Sequence, residues 1–443
     1  MGMGRRPRER PSELFVATAD LPRSAGHVFY EKLNELLASA GFDGYVETLC
    51  APYYDATGNG RPSIPPGVYF RMLLVGYFEG IGSQRGIAWR CSDSLSLRQF
   101  LGLPLTESPP DHSHLTRGRD RLPQEVHEGV LQWVLKLAQA KKLFTGKTVG
   151  VDSTTIEANA AMKSIVRKGT GEDWKAYVTG LMRKEGVIGP EEEPSAEEIA
   201  KFDRKRKNKK CSNEEWESSS DPDARITKMK DGRTHLAYKQ EHVVDLESEF
   251  IVGVEAYEGN VSDHHTLVDS LLSADTNLQV IGDGTPVIEE VAADKGYHNN
   301  EQLELASSLN LRTYISEPDR PHAAKWADKP PAQRAAVEGN RRRMQRPKGK
   351  RLQRLRSERV ERSFAHVCET GGARRTWIRG RDKVQKRSLL SAAARNLGLI
   401  LRSLFKMGTP RGLQGLRALV YLAWLIVGGL WRALGRAGRA SSC

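Results

Sequence analysis

Three acids stand where a strand end or a helix can carry them into one shared place. Asp152 closes the apolar run Val149-Gly150-Val151 and is followed by Ser153-Thr154-Thr155. Asp294 repeats the pattern, behind Val291-Ala292-Ala293 and ahead of Lys295-Gly296-Tyr297. Glu361 lies in Arg359-Val360-Glu361-Arg362-Ser363-Phe364, on a basic helical stretch. A central strand disfavours charge, so the two aspartates belong at exposed or functional strand ends. Like carboxylates held close repel and raise each other's pKa, so three that converge suit a pair of hard divalent cations. Two such ions about 4 Å apart activate an attacking oxygen and stabilise a leaving oxyanion in an in-line displacement, which makes a phosphodiester the natural substrate. Taken singly, each acid has a plainer reading. Asp152 suits a strand-end Asp bonded to Ser153 and Thr154, Asp294 an ordinary Asp turn, and Glu361 a surface Glu–Arg pair. Glu358, one helical turn earlier, competes with Glu361 for the third place.

The composition fits a polyanionic partner. The 443 residues carry 68 Lys and Arg against 55 Asp and Glu, a formal net charge of +13, and the pI is near 9.5. Such a balance favours nucleic acid or an anionic membrane without choosing between them. The five cysteines (Cys50, Cys91, Cys211, Cys368 and Cys443) are odd in number and scattered. They argue against a disulfide framework or zinc site and fit a reducing cytoplasm. Met1 to Pro11 is Arg-rich without an apolar core, unlike a secretory signal. Ala418 to Trp431 is apolar but shorter than the roughly 20 residues a membrane span needs, so it reads as a packed or partner-facing helix.

The elements that must position the acids follow from periodicity. Residues 1 to about 140 read as helical, with helices over Phe29 to Ala40, Val68 to Glu79, Ser83 to Trp89, Ser96 to Leu101 and Gln124 to Lys141. Pro65-Pro66 starts the second of these and Gly80 ends it. Ser113 is the expected cap of a further helix. The arginines among these helices, Arg85, Arg90, Arg98, Arg117, Arg119 and Arg121, suit DNA binding in helix-turn-helix fashion, although a bundle with a solvated basic face reads the same. After Gly146 strands take over: Thr148 to Glu157, Leu236 to Leu246, Phe250 to Ala256, Val287 to Ala293 and Leu311 to Ile315. Helices over Asp263 to Ser273 and Glu301 to Leu309 lie between them, and a helical region closes the chain. This order predicts an α/β fold with a mixed sheet, preceded by an all-α domain. Two charged insertions interrupt it. Met162 to about Asp231 reads as a partly mobile excursion with some helix. Pro318 to about Arg356, dense in Arg and Lys, reads as a phosphate-tracking arm leading into Glu361.

Taken together, these segments resemble the DDE transposases of bacterial insertion sequences, over about Leu14 to Gln414. In the first region the resemblance rests on Arg61-Pro62-Ser63-Ile64-Pro65-Pro66 and on Asp111-His112-Ser113-His114-Leu115-Thr116-Arg117-Gly118-Arg119. In the core it rests on Val151-Asp152-Ser153-Thr154, Tyr257-Glu258-Gly259-Asn260-Val261-Ser262-Asp263, Ala293-Asp294-Lys295-Gly296-Tyr297, Val360-Glu361-Arg362-Ser363-Phe364 and Asn396-Leu397. The resemblance implies a helical DNA-binding domain over 1–143 and a ribonuclease-H-like catalytic domain over 144–407 with insertions at 162–231 and 318–356. An apolar and basic tail, 408–443, would follow. It implies Asp152, Asp294 and Glu361 as catalytic and metal-holding residues, with two Mg²⁺ (or Mn²⁺) per site. Arg117, Arg119, Arg341, Arg342, Arg343, Lys350 and Arg356 are the expected DNA contacts, Arg356 also as a basic helper to the Glu. Asp263 and His264 match a family-like position and read as structural. Cys368 stands where many relatives carry Lys, and Arg374 or Arg375 is the expected substitute. The implied activity is cleavage at element ends and joining of a 3′-hydroxyl to target DNA, by a nucleoid-associated cytoplasmic dimer or higher assembly with no membrane partner. A nuclease of the same fold without strand transfer, and an inert DNA-binding descendant, are the competing readings.

Overall fold

A computed structural model describes residues 26–55, 63–207, 211–229, 231–318 and 330–410. Met1 to Pro11, Arg61-Pro62, the apolar 418–431 segment and Cys443 lie outside the described residues. The first third is helical: α1 (Val28–Ser39), α2 (Phe42–Cys50), α3 (Pro66–Glu79), α4 (Gln84–Asp93), α5 (Leu95–Phe100), α6 (His112–Arg121) and α7 (Gln124–Ala140). α3 is buried all round from Gly67 to Phe78. Proline at its first turn sacrifices no helical hydrogen bond, and Gly80 ends it in the left-handed conformation. Arg71 sits inside this helical core because Asp43, Asn34 and the Phe100 carbonyl accept its hydrogen bonds. Gly41 leads into α2, which the apolar pattern did not predict. The cap of α6 is Asp111, not Ser113: its carboxylate accepts from the Ser113 and His114 amides.

The remainder follows in the order β1 (Thr148–Glu157), β2 (Ile165–Arg167), α8 (Trp174–Lys184), α9 (Ala196–Lys205), β3 (Trp216–Ser218), β4 (Arg225–Lys228), β5 (Thr234–Asp245), β6 (Ile251–Glu258), α10 (Leu267–Ile281), β7 (Glu290–Ala293), α11 (Asn300–Ser308), β8 (Arg312–Ile315), α12 (Pro331–Gln345), α13 (Pro347–Ala365) and α14 (Arg381–Phe405). The main sheet runs β4-β5-β1-β7-β8, with β6 also paired to β5. β1 is central, antiparallel to β5 and parallel to β7, and β7 is parallel to β8. The sheet is therefore mixed, as the sequence order predicted. Helix-borne amides close its edges. Asn396 and Gln385 of α14 bond the backbone of β6, and Asn340 of α12 does the same for Ile315 in β8. Each of these satisfies backbone groups that no neighbouring strand would take up.

Both insertions are more ordered than their charge suggested. The described part of the first holds α8, α9 and a two-stranded β2–β3 sheet, and contributes β4 to the main sheet. Val178, Met182 and Ile199 form a small core of its own. The second insertion is not an arm: its described part is the helices α12 and α13, the latter lying across the sheet. After α13 the helix widens to a π turn over His366–Thr370, which contains Cys368. One hydrophobic cluster runs from Phe29 through Val149 and Leu278 to Leu401, so the helical region and the sheet share a core. Among the described residues no helix is long and apolar enough to cross a membrane, and no disulfide is formed.

Candidate active site

β1 and β7 run side by side with Val151 opposite Ala293. One step further along each strand places Asp152 next to Asp294, on the same face of the sheet. The β-branched and apolar run Val149 to Val151 fixes this register by burying Val149 and Val151 completely. Asp152 then emerges where the burial ends and is about a quarter exposed. Asp294 caps a short helical turn and accepts the Gly296 amide. A side chain at Gly296 would crowd both Asp294 and Asp263, a Cβ there lying 3.3 Å and 3.2 Å from their carboxylate oxygens. Glycine is what lets those two acids approach.

α13 covers this face. Its inward stripe is Gln353, Arg356, Val360 and Phe364, at the spacing of one helical turn. Gln353 donates to the Ala293 and Tyr314 carbonyls, and Val360 packs on Gly150. Ser363 hydrogen-bonds His242, 2.8 Å away, and Phe364 stacks on the same ring. His242 is the residue opposite Asp152 in β5, so α13 crosses the sheet at the level of Asp152. Burial holds that imidazole neutral, its pKa pushed down to about 3. Arg356 donates to Asp152 at 2.8 Å.

At about 100° per residue, Glu361 and Arg359 fall on opposite flanks of the inward stripe. Arg359 bonds the Glu247 carbonyl, beside the start of β1. Glu361 therefore lies on the flank turned toward the C-terminal ends of β1 and β7, together with Lys350, Arg354 and Ser357. Glu361 is exposed, and among the described residues it has no hydrogen bond or ion pair. Its rival Glu358 points outward and pairs with Arg362 at 2.7 Å. Thus Asp152 and Asp294 are brought together, while Glu361 stands about 7.5 Å along the helix axis from Arg356.

Burial pushes the Asp152 carboxyl above the ordinary aspartate range; the Asp294 charge adds to this, and Arg356 and the Ser153 amide oppose it. Behind the pair, Ser153 donates to Asp263 at 2.8 Å, and Lys239 donates to the same oxygen at 3.1 Å. Lys239 also donates to Thr266, whose hydroxyl bonds the fully buried Glu241, as does the Tyr297 hydroxyl. Sequence reasoning missed this network, apart from reading Asp263 as structural. The signal was present: Lys239, Gln240, Glu241 and His242 form a polar run inside a strand that had to be buried.

Two family models match the chain. One, described as a transposase domain (DUF772), covers residues 18–121. The other, described as a transposase DDE domain, covers residues 191–397. The chain belongs to the DDE transposases of insertion sequences. No curated protein matches it. The DDE match includes Asp294 and Glu361 and begins after Asp152, which the sheet register places beside Asp294.

For a transposase the partner is DNA, and the expected contacts divide by exposure. Arg117, Arg342 and Lys350 are exposed. Arg341 is exposed but paired with Glu317. Three of the seven turn inward, contrary to expectation. Arg343 bonds Thr313, Arg356 bonds Asp152, and Arg119 is buried, because α12, α13 and α6 respectively turn these positions inward. Of the proposed substitutes for the missing Lys, Arg374 pairs with Glu369 and Arg375 lies over the Trp377 ring. The family works with divalent metal ions, and the carboxylates of this transposase fit one. They offer oxygen donors only, and Asp152, about a quarter exposed, stands beside Asp294, whose charge adds to the burial that lifts the Asp152 carboxyl above the usual range. Among the described residues no three candidate ligands are drawn tightly together; Arg356 balances the charge of Asp152 instead.

Proposed function

We propose that this transposase cleaves DNA at the ends of its element and joins the freed 3′-hydroxyl to target DNA, using Asp152, Asp294 and Glu361 to hold two Mg²⁺ ions. The observation that carries the reading is the placement of Asp152 and Asp294 side by side at the C-terminal ends of adjacent parallel strands, beneath a cationic helix that bears Glu361. The strand arrangement, three antiparallel strands (β6, β5, β1) continued by two parallel ones (β7, β8), supports a ribonuclease-H-like catalytic domain over 144–407. When bound, the ions supply an activated oxygen nucleophile and neutralise the leaving oxygen. The chain's own residues do the rest. Gln353, Val360 and Ser363 fix α13 on the sheet, Arg356 holds Asp152 in place, and Lys350 and Arg354 line the approach for a phosphate backbone. Because two ends are joined in one reaction, a dimer or larger assembly is the working form.

The test uses the full chain and DNA carrying the element's terminal sequences. Asp152→Asn should abolish Mg²⁺-dependent cleavage, a loss of about 10³-fold or more, and leave DNA binding intact. Loss of binding together with cleavage would instead make Asp152 a folding residue. Strand-transfer products made from a 3′-hydroxyl donor separate the transposase from a nuclease of the same fold.

A further inference from the structure

Between the helical region and the sheet domain, α3, α4, α6, α7 and α14 enclose a cavity of about 40 Å³. At on the order of 10–15 Å³ per water centre, that is room for a few waters or for one tetrahedral oxyanion. Its charged lining is of one sign: Arg119, Lys386 and Arg387, with no Asp or Glu among the lining residues. Arg119 comes from α6 and is only 5 % exposed, and among the described residues its guanidinium has no hydrogen-bond or ion-pair partner. Arg387 comes from α14 and reaches only carbonyls, those of Gly372 and Arg375. Burial and the facing Arg119 charge push it down to about 10. Lys386 pairs with Asp382 and donates to the Arg119 carbonyl. His127, also on the wall, is held neutral by burial, with its pKa near 4. A buried guanidinium facing a second, partly exposed one without a carboxylate is costly to fold, and an oxyanion ligand removes the cost.

The mouth of the cavity shows which oxyanion. Gly82 lines it, and a Cβ there would lie 2.8 Å from Trp377 and 3.5 Å from the Arg387 guanidinium. Trp377 is 53 % exposed, with Arg375 over its ring at 5.3 Å. An exposed aromatic face beside a cationic hollow is how proteins hold a nucleic-acid strand, the base on the ring and the phosphate in the hollow. The same segment is hydrogen-bonded to the far end of β1, since Glu157 pairs with Arg374 and Thr376. Glu157 lies five residues beyond Asp152, about 17 Å of strand, or about five nucleotides of stacked DNA.

We propose that the Arg119–Arg387 cavity is a phosphate subsite for a DNA strand leaving the active site, with Trp377 stacking the neighbouring base. This rests on the transposase reading above. Two measurements on the full chain test it. In thermal unfolding, inorganic phosphate should raise the Tm relative to NaCl of equal ionic strength, and Arg119→Gln and Arg387→Gln should abolish the shift. In anisotropy titrations with a fluorescein-labelled single-stranded oligonucleotide, Arg387→Gln should weaken binding about tenfold. It should also lower the slope of log Kd against log salt by about 0.7. Trp377→Ala, on the surface and safe for folding even if Arg119→Gln is not, should weaken binding about tenfold. A phosphate-dependent Tm shift with unchanged DNA affinity in both variants would assign the cavity to a free oxyanion and overturn the DNA subsite. No shift and no change in affinity would remove the site altogether. If these binding effects hold while Asp152→Asn leaves cleavage intact, the catalytic assignment fails and the subsite stands.

Discussion

Two groups of acids sit on opposite faces of the same central strands. On the α13 face, Asp152 and Asp294 end adjacent strands, and Glu361 overlooks them from the helix. On the other face, Glu241 is sealed among Lys239, Thr266 and Tyr297. Ser153 belongs to the second face and, through Asp263, links the two groups. The difference lies in how the oxygens are used. Glu241 spends one oxygen on two hydroxyl donors and stands 3.9 Å from Lys239, so it ties β5 to the turns on either side. Asp294 accepts only a local amide and Glu361 accepts nothing among the described residues. Acids left with idle lone pairs at an exposed strand end are available to a cation, whereas Glu241, whose other oxygen is buried without a hydrogen bond, is shut away from one and belongs to the scaffold.

The largest expected effect separates the open group from its surroundings. Glu361→Gln should cut cleavage by about 10³-fold. Thermal stability should stay within about 0.5 kcal/mol, as for other exposed, unpartnered side chains. Glu358→Gln, which breaks only an exposed pair with Arg362, should change both by little. Equal losses from the two substitutions, read by a plasmid cleavage assay, would erase the distinction drawn along α13.

The sealed group should respond in the opposite sense. Lys239→Met leaves Glu241 and Asp263 without their buried cation and should destabilise the fold by about 3–5 kcal/mol. An unchanged urea midpoint would show that Lys239 contributes nothing to holding these strands. The link between the groups should give an intermediate result. Ser153→Ala and Asp263→Asn should each lower cleavage by about 10- to 100-fold, the usual cost of losing a residue that orients a ligand, with the melting temperature retained in Ser153→Ala, which leaves the Lys239–Asp263 pair intact. Full activity in both would confine Asp263 to the scaffold.

This division also marks how far the sequence could be read. β1 was legible to its last residue because Thr148 to Glu157 alternates and branches as a buried strand must, and α3 because prolines and a glycine bracket it. Asp152 and Asp294 stood out as charges ending apolar runs. Glu241 and Lys239 did not, because their justification lies in partners on other elements: Tyr297 is 56 residues from Glu241. The same holds for Arg356, whose partner Asp152 is 204 residues away. In a run as basic as Arg341 to Arg362, nothing local distinguishes a buried arginine from a solvated one. That is why Pro318 to about Arg356 read as an arm, although Leu352, Arg356 and Val360 already recur at helical spacing. The burial of Arg119 was hidden for the same reason, being set by neighbouring helices rather than by α6.

The smallest effect is also the most discriminating, because it asks which force governs the sealed carboxylate. Burial raises the Glu241 pKa, while Ser270, Tyr297, Lys239 and Thr266 oppose the rise without cancelling it. A carboxyl with a raised folded pKa gives its full stabilisation below the ordinary glutamate range, about 4.3. That stabilisation is lost as pH climbs through the folded value. Glu241→Gln removes the titration and keeps an acceptor for the two hydroxyls. The melting temperature of the variant relative to the parent should therefore rise between about pH 4 and pH 7. If it falls instead, attraction to Lys239 outweighs burial. Glu241 would then be a true ion-pair partner in the fold, and burial alone could no longer distinguish scaffold acids from those that bind a cation.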